Sequence, residues 1–110
     1  MNVRFLTLAQ QEVDEAVVWF DERVEGKGLE FLDELDRVVR LIKAYPLASA
    51  EIEPEIRRRL FARFPYSLIY GIDDEAVIVI AVAHFHREPR YWIDRLNFNK
   101  HSQDVRGSTP

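Results

Sequence analysis

Apolar side chains recur along this chain with two different periods, and the change of period divides it. In the first part Val13, Ala16, Val17, Phe20 and Val24 follow one another at three- and four-residue spacing, with Glu12, Asp14, Glu15, Asp21, Glu22 and Arg23 filling most of the gaps. That spacing predicts an amphipathic helix with one buried stripe. Thr7 followed by Gln10 has the form of a capping box and predicts the helix start. A second stripe, Phe31, Leu32, Leu35, Val38, Val39 and Ile42, leaves Glu30, Asp33, Glu34, Asp36, Arg37 and Arg40 on the outside. Gly26-Lys27-Gly28 supplies the turn between the two stripes, and Pro46 ends the second helix near Ala44. The prediction is an antiparallel helix hairpin whose stripes need cover.

That cover has to come from strands. Asn2 to Leu6 alternates weakly and reads as a first strand. Leu47 to Glu55 has no period and reads as a surface connection. From Arg57 to Trp92 three runs rich in β-branched and aromatic residues are separated by turn signals, as in an antiparallel meander. The first run, Ile56 to Phe61, alternates poorly, which suits an edge strand. Pro65 places a turn at Ala62 to Pro65, because a central strand needs the amide that proline lacks. Tyr66 to Ile72 then leads through Asp73-Asp74-Glu75 into Val77 to Ala83, apolar throughout and therefore expected at the centre of the sheet. Arg90 to Phe98 reads as a short helix or an extended arm. The expected fold is α+β: an N-terminal strand and a helix hairpin packed on a mostly antiparallel sheet, with one domain over residues 1–98 and a flexible polar tail over 99–110.

Composition narrows the classes. The chain has 110 residues and no cysteine, so no disulfide or thiolate metal site exists, in keeping with a reducing cytoplasm. Its longest apolar run is too short to cross a bilayer, so no membrane association is expected. The net charge of −4 is uneven: residues 1–56 carry 6 Lys+Arg and 13 Asp+Glu, a balance of −7, and residues 57–110 carry 9 and 6, a balance of +3. A chain coated with nucleic-acid-binding charge is thereby disfavoured, while a local basic patch on the sheet half is not.

Candidate chemistry collects at the end of the last strand. His84 and His86, two apart, should share a face, but two imidazoles without a placed third ligand fall short of a zinc site. No metal or cofactor is expected. Arg57, Arg58, Arg59, Arg63, Arg87 and Arg90 offer planar forks suited to phosphate or carboxylate, or alternatively a charged strand edge that resists aggregation. Tyr91 and Trp92 read either as a stacking platform or as a cap on the core.

In order and motif the chain resembles the RelE/ParE toxin superfamily of bacterial toxin–antitoxin modules. The similarity rests on Phe64-Pro65-Tyr66 leading into Leu68-Ile69-Tyr70, on Ala83-His84 through Arg87, Pro89 and Tyr91-Trp92, and on Glu15-Ala16-Val17-Val18-Trp19-Phe20 in the first helix. It spans about residues 2–96.

The resemblance implies a toxin neutralised by a cognate antitoxin protein, with one of two targets. ParE-like members poison DNA gyrase and are associated with growth inhibition and plasmid stabilisation. RelE-like members cut messenger RNA at the ribosome without metal. For a nuclease the resemblance points to Arg87, His84, His86 and Arg59 as the catalytic set. Ser67, however, stands where those nucleases place a phosphate-stabilising arginine, and removing one such donor typically slows a reaction about a hundredfold to a thousandfold. The ParE-like reading is therefore favoured, with RNA cleavage and an inactive antitoxin-binding protein as alternatives. Arg57, Arg59, Arg63, Arg87, Arg90 and Trp92 are the expected partner-binding residues.

Overall fold

A computed structural model describes residues 1–97 and 105–106. β1 (Asn2–Leu6) runs directly into α1 (Thr7–Arg23), and α2 (Lys27–Ala44) returns beside it. Then come β2 (Ala50–Glu53), β3 (Ile56–Leu60), β4 (Tyr66–Asp73) and β5 (Ala76–His84), a 3-10 turn over Ile93–Asn97, and β6 (Val105–Arg106). The sheet order is β2-β3-β4-β5-β1-β6. β1 lies parallel to β5, and every other neighbouring pair is antiparallel. β5 is central and buried from Ala76 to Ala83, which accounts for its unbroken apolar run. The tail expected from residue 99 lies outside the described residues, apart from the two of β6.

The helix hairpin packs on one face of the sheet through an aromatic cluster. The Phe31 ring lies 5.5 Å from Phe61, 5.2 Å from Phe64 and 5.0 Å from Tyr66, and the Phe20 ring lies 5.6 Å from Phe31. At Gly28 the two helices leave no room for a side chain, since an added Cβ would stand 2.6 Å from the Val17 carbonyl oxygen. The Gly28 amide donates to Asp21 Oδ1 at 2.8 Å, closing the hairpin with a polar contact where a side chain has no room. Gly26 takes the left-handed φ of 85° that the turn requires.

Several sequence expectations need correction. Residues 47–55 do not form a simple connection: Ala50–Glu53 pairs with β3, so β2 and not β3 is the edge. Pro54 and a left-handed Glu55 make the reversal, and Glu51 Oε2 accepts from the Glu55 amide at 2.7 Å, so the residues that look like loop are a hairpin turn. Leu6 occupies the N-cap of α1 with no side-chain cap bond, and Gln10 donates forward to Asp14. Val24 and Leu32 are exposed in spite of their place in the stripes. Glu34, expected outside, is buried.

Candidate functional site

β1 pairs with β5 only as far as Val79, so among the described residues no strand pairs with the last residues of β5 on that side. Side chains take over the pairing there. Glu12, one turn into α1, accepts from the Val82 amide at 2.9 Å, and Arg95 from the 3-10 turn donates to the Ile80 carbonyl at 3.0 Å. The two side chains also bind each other through two contacts of 3.0 Å, and the Tyr91 hydroxyl donates to Glu12 at 2.5 Å. One carboxylate thus joins the first helix, the central strand and the segment after Pro89. Burial, followed by the bond to Glu12, raises the Tyr91 hydroxyl above its ordinary value, so it remains a donor.

Two cavities flank this strand end, and His84 and Arg87 line both. One, of about 420 Å³, lies over the sheet face away from the helices and is bordered by Arg58, Leu60, Ser67, Phe85, Arg90 and Trp92. The other, of about 430 Å³, lies between α1 and the strand end, between Trp19 and Phe20 on one side and Pro65 and Tyr66 on the other. The His84 ring stands 5.1 Å from Tyr66 and 4.7 Å from His86, and its Nδ1 accepts from the His86 amide at 3.0 Å. Burial, then the neighbouring imidazole, lowers the pKa of His84 and favours its neutral form. His84, His86 and Arg87 therefore do come together, although the strand ends at His84.

The arginines do not form one patch. Alternation along β3 puts Arg57 and Arg59 on the face shared with Phe61 and the helices, whereas Arg58 lines the open cavity. Arg57 donates to the carbonyls of Leu47 and Ser49 at 3.1 and 2.7 Å. Arg63, at the β3–β4 turn, lies 4.0 Å from Glu30. Arg87 lies over the Tyr91 ring at 3.8 Å and within 3.9 Å of Glu12. Arg90 pairs with Glu53 at 2.8 Å. Trp92 is buried, so it caps the core and offers no stacking platform. Of the catalytic set implied by the resemblance, Arg59 lies on the opposite face from the cavity that Ser67 and Arg58 border. Among the described residues, no cluster of three or more His, Cys, Asp or Glu is arranged to hold a metal ion.

Two carboxylates carry more of this architecture than their sequence positions announce. Glu34 accepts from the amides of Ala62 and Arg63 and from Arg37 Nε and Nη2, which ties α2 to the turn before the Phe-Pro-Tyr motif. The Arg37 guanidinium, helped by the two amides, overcomes the effect of burial and holds the carboxyl at about 2. Both residues sit at helical spacing from stripe positions: Glu34 three after Phe31, and Glu12 four before Ala16. That spacing was the available signal.

The model of the ParE toxin of type II toxin–antitoxin systems matches residues 3–89. Among solved structures the chain is similar to one described as the chromosomal ParDE TA system from P. aeruginosa. The TM-score is 0.67 at 14% identity, over 76% of this chain and 95% of that one. At that identity the likeness concerns the fold. No curated protein matches the sequence.

Proposed function

The chain belongs to the ParE toxin family of type II toxin–antitoxin systems, and from that premise we propose that it inhibits bacterial growth by acting on DNA gyrase, without cutting RNA, and is neutralised by a cognate antitoxin. The observation that supports this over ribonuclease chemistry is the division of the arginines between the two faces of the sheet. Cleavage through a 2′-hydroxyl requires a base, an acid and a cation converging within hydrogen-bond reach of one phosphorus centre. Here a buried serine, Ser67, faces the cavity, and Arg59, the strand arginine of the implied set, faces the other way. His84 favours its neutral form, and two of the cations that line its cavity are already engaged, Arg87 over Tyr91 and near Glu12 and Arg90 with Glu53. Among the described residues, no helix is long and apolar enough to cross a membrane, in line with a gyrase-directed protein working in the cytoplasm.

The test is induction of the chain alone in a bacterium, with DNA breakage trapped on gyrase and ribosome-dependent message cleavage measured side by side. Gyrase-linked breaks with intact message are expected, and Arg87→Ala should leave RNA unchanged. Message cleavage that disappears in Arg87→Ala would establish the nuclease reading instead. Normal growth would leave an antitoxin-binding protein without toxicity.

A further inference from the structure

The chain turns sharply after β5, and one half-buried side chain at the strand end, His84, holds the turn. The Phe85 amide donates to the Pro65 carbonyl at 2.9 Å and the Arg87 amide to the His84 carbonyl at 3.0 Å. The His86 amide between them donates instead to a side chain, His84 Nδ1, at 3.0 Å. Nδ1 accepts only while it carries no proton, so this bond belongs to the neutral imidazole with its proton on Nε2. A second proton on the ring would set two N–H groups against each other. It would also place a positive charge beside His86, whose ring lies 4.7 Å away.

What the turn presents is Arg87. Its guanidinium rests over the Tyr91 ring at 3.8 Å and within 3.9 Å of Glu12, and with His84 it forms the wall between the two cavities. The charges around the imidazole come from several elements. Glu12 and Glu15 of α1 and Tyr66 of β4 share the groove with it, and Glu53 of β2, Arg58 of β3, Glu88 and Arg90 border the other cavity. Glu12 is bound by Arg95 and Tyr91, and Glu53 by Arg90, so neither is free to hold an imidazolium. Burial, then the neighbouring His86, keeps the imidazole titrating below the ordinary 6.5 in spite of the carboxylates.

We propose that His84 is a proton-operated catch: neutral, it fixes the turn that rests Arg87 on Tyr91, and protonated, it releases the turn and frees Arg87 into the two cavities. The catch is complete above pH 6.5 and is lost as the pH falls below that value. It acts whichever macromolecule the strand end meets, so it does not depend on the gyrase reading.

An NMR titration of the isotopically labelled, full-length chain from about pH 7.5 to about pH 5, where most carboxylates stay ionised, tests it. The probes are the His84 ring, the His86 amide proton and the side-chain protons of Arg87, which the face of the Tyr91 ring shifts upfield. All three should share one midpoint below 6.5. Across it the amide proton should lose its hydrogen-bonded shift, and the Arg87 protons should return toward the values of a free arginine. The ratio of bonded to released turn should fall roughly twofold to tenfold, the factor one hydrogen bond is worth. Asparagine at position 84 offers an oxygen to the amide two residues on and does not titrate. His84→Asn should therefore keep Arg87 on Tyr91 over the whole range, and His84→Ala should release it already at pH 7.5. His86 and His101 remain in both variants, so a transition that survives in His84→Asn belongs to another group and overturns the proposal. So does a His84 ring that stays neutral down to pH 5, an Arg87 shift that ignores the His84 midpoint, or an Arg87 still held on Tyr91 in His84→Ala.

Discussion

Glu34 offers the sharpest test of how this fold is held. Its carboxylate is buried, receives two backbone amides from the β3–β4 turn and is paired with Arg37 at 2.9 Å. Holding the carboxyl at about 2 instead of the ordinary 4.5 corresponds to roughly 3 kcal/mol in favour of the folded, charged form. A group whose folded pKa is depressed contributes stability above its unfolded value and loses it as the pH falls. The window here runs from just above 4.5 down through about 2. Glu34→Gln keeps an oxygen for the amides but abolishes the charge, so at pH 7 it should destabilise by about 2 to 3 kcal/mol. A loss of that size lowers the thermal midpoint of a domain this small by roughly 10 °C or more. Urea unfolding of the wild type and the variant, each measured at pH 7 and pH 2.5, supplies the assay.

The difference between the two proteins carries the argument. Other carboxylates titrate over the same range in both, so their effects cancel, and the gap itself should close by more than half between pH 7 and pH 2.5. Equal stability at pH 7, or a gap that does not change with pH, would refute the assignment of that stabilisation to the Glu34 charge.

Gly28→Ala forces a methyl to 2.6 Å from the Val17 carbonyl and should cost about 1 to 3 kcal/mol in urea unfolding, against the usual gain from removing a helical glycine. Tyr91→Phe removes the donor to Glu12 and should cost about 1 kcal/mol. Glu12→Ala should do more and also accelerate hydrogen exchange at the Val82 amide, because that amide loses its acceptor. The His84 imidazole should titrate below 6.5 by NMR, so its effect on stability is full above that pH and is lost as the pH falls below it. His86→Ala should bring the midpoint only part of the way back, since burial is the larger cause.

The helices, the central place of β5 and the meander follow from patterns that local physics makes visible: a 3.6-residue period, a proline after Tyr45, an apolar run without a break; the parallel pairing of β1 with β5 does not. What escaped was set by contacts far apart in sequence. β2 is short, acidic and closed by Pro54-Glu55, so its strand character comes from pairing with β3 and not from its own residues. Strand alternation, itself legible from sequence, sends Arg57 and Arg59 to one face and Arg58 to the other, but which of those faces the helices cover is set by packing. The strand-end cluster of His84, His86 and Arg87 was legible because its members are neighbours in sequence.

The charge asymmetry between the two halves takes on a different meaning once the contacts are known. A surplus of +3 on the sheet half suggests a cationic rim for an anionic partner. Much of that charge is instead met from within: Arg95 and Arg87 by Glu12, Arg63 by Glu30, Arg90 by Glu53. Each such pair also withdraws a carboxylate from the acidic half. Asp14, Glu15 and Glu22, which border the shallow hollow beside Trp19, take no part in that exchange with the sheet; Asp14 and Glu22 meet only neighbours on their own helix. The surplus that the sequence places on the sheet half is therefore largely met by carboxylates of the acidic half.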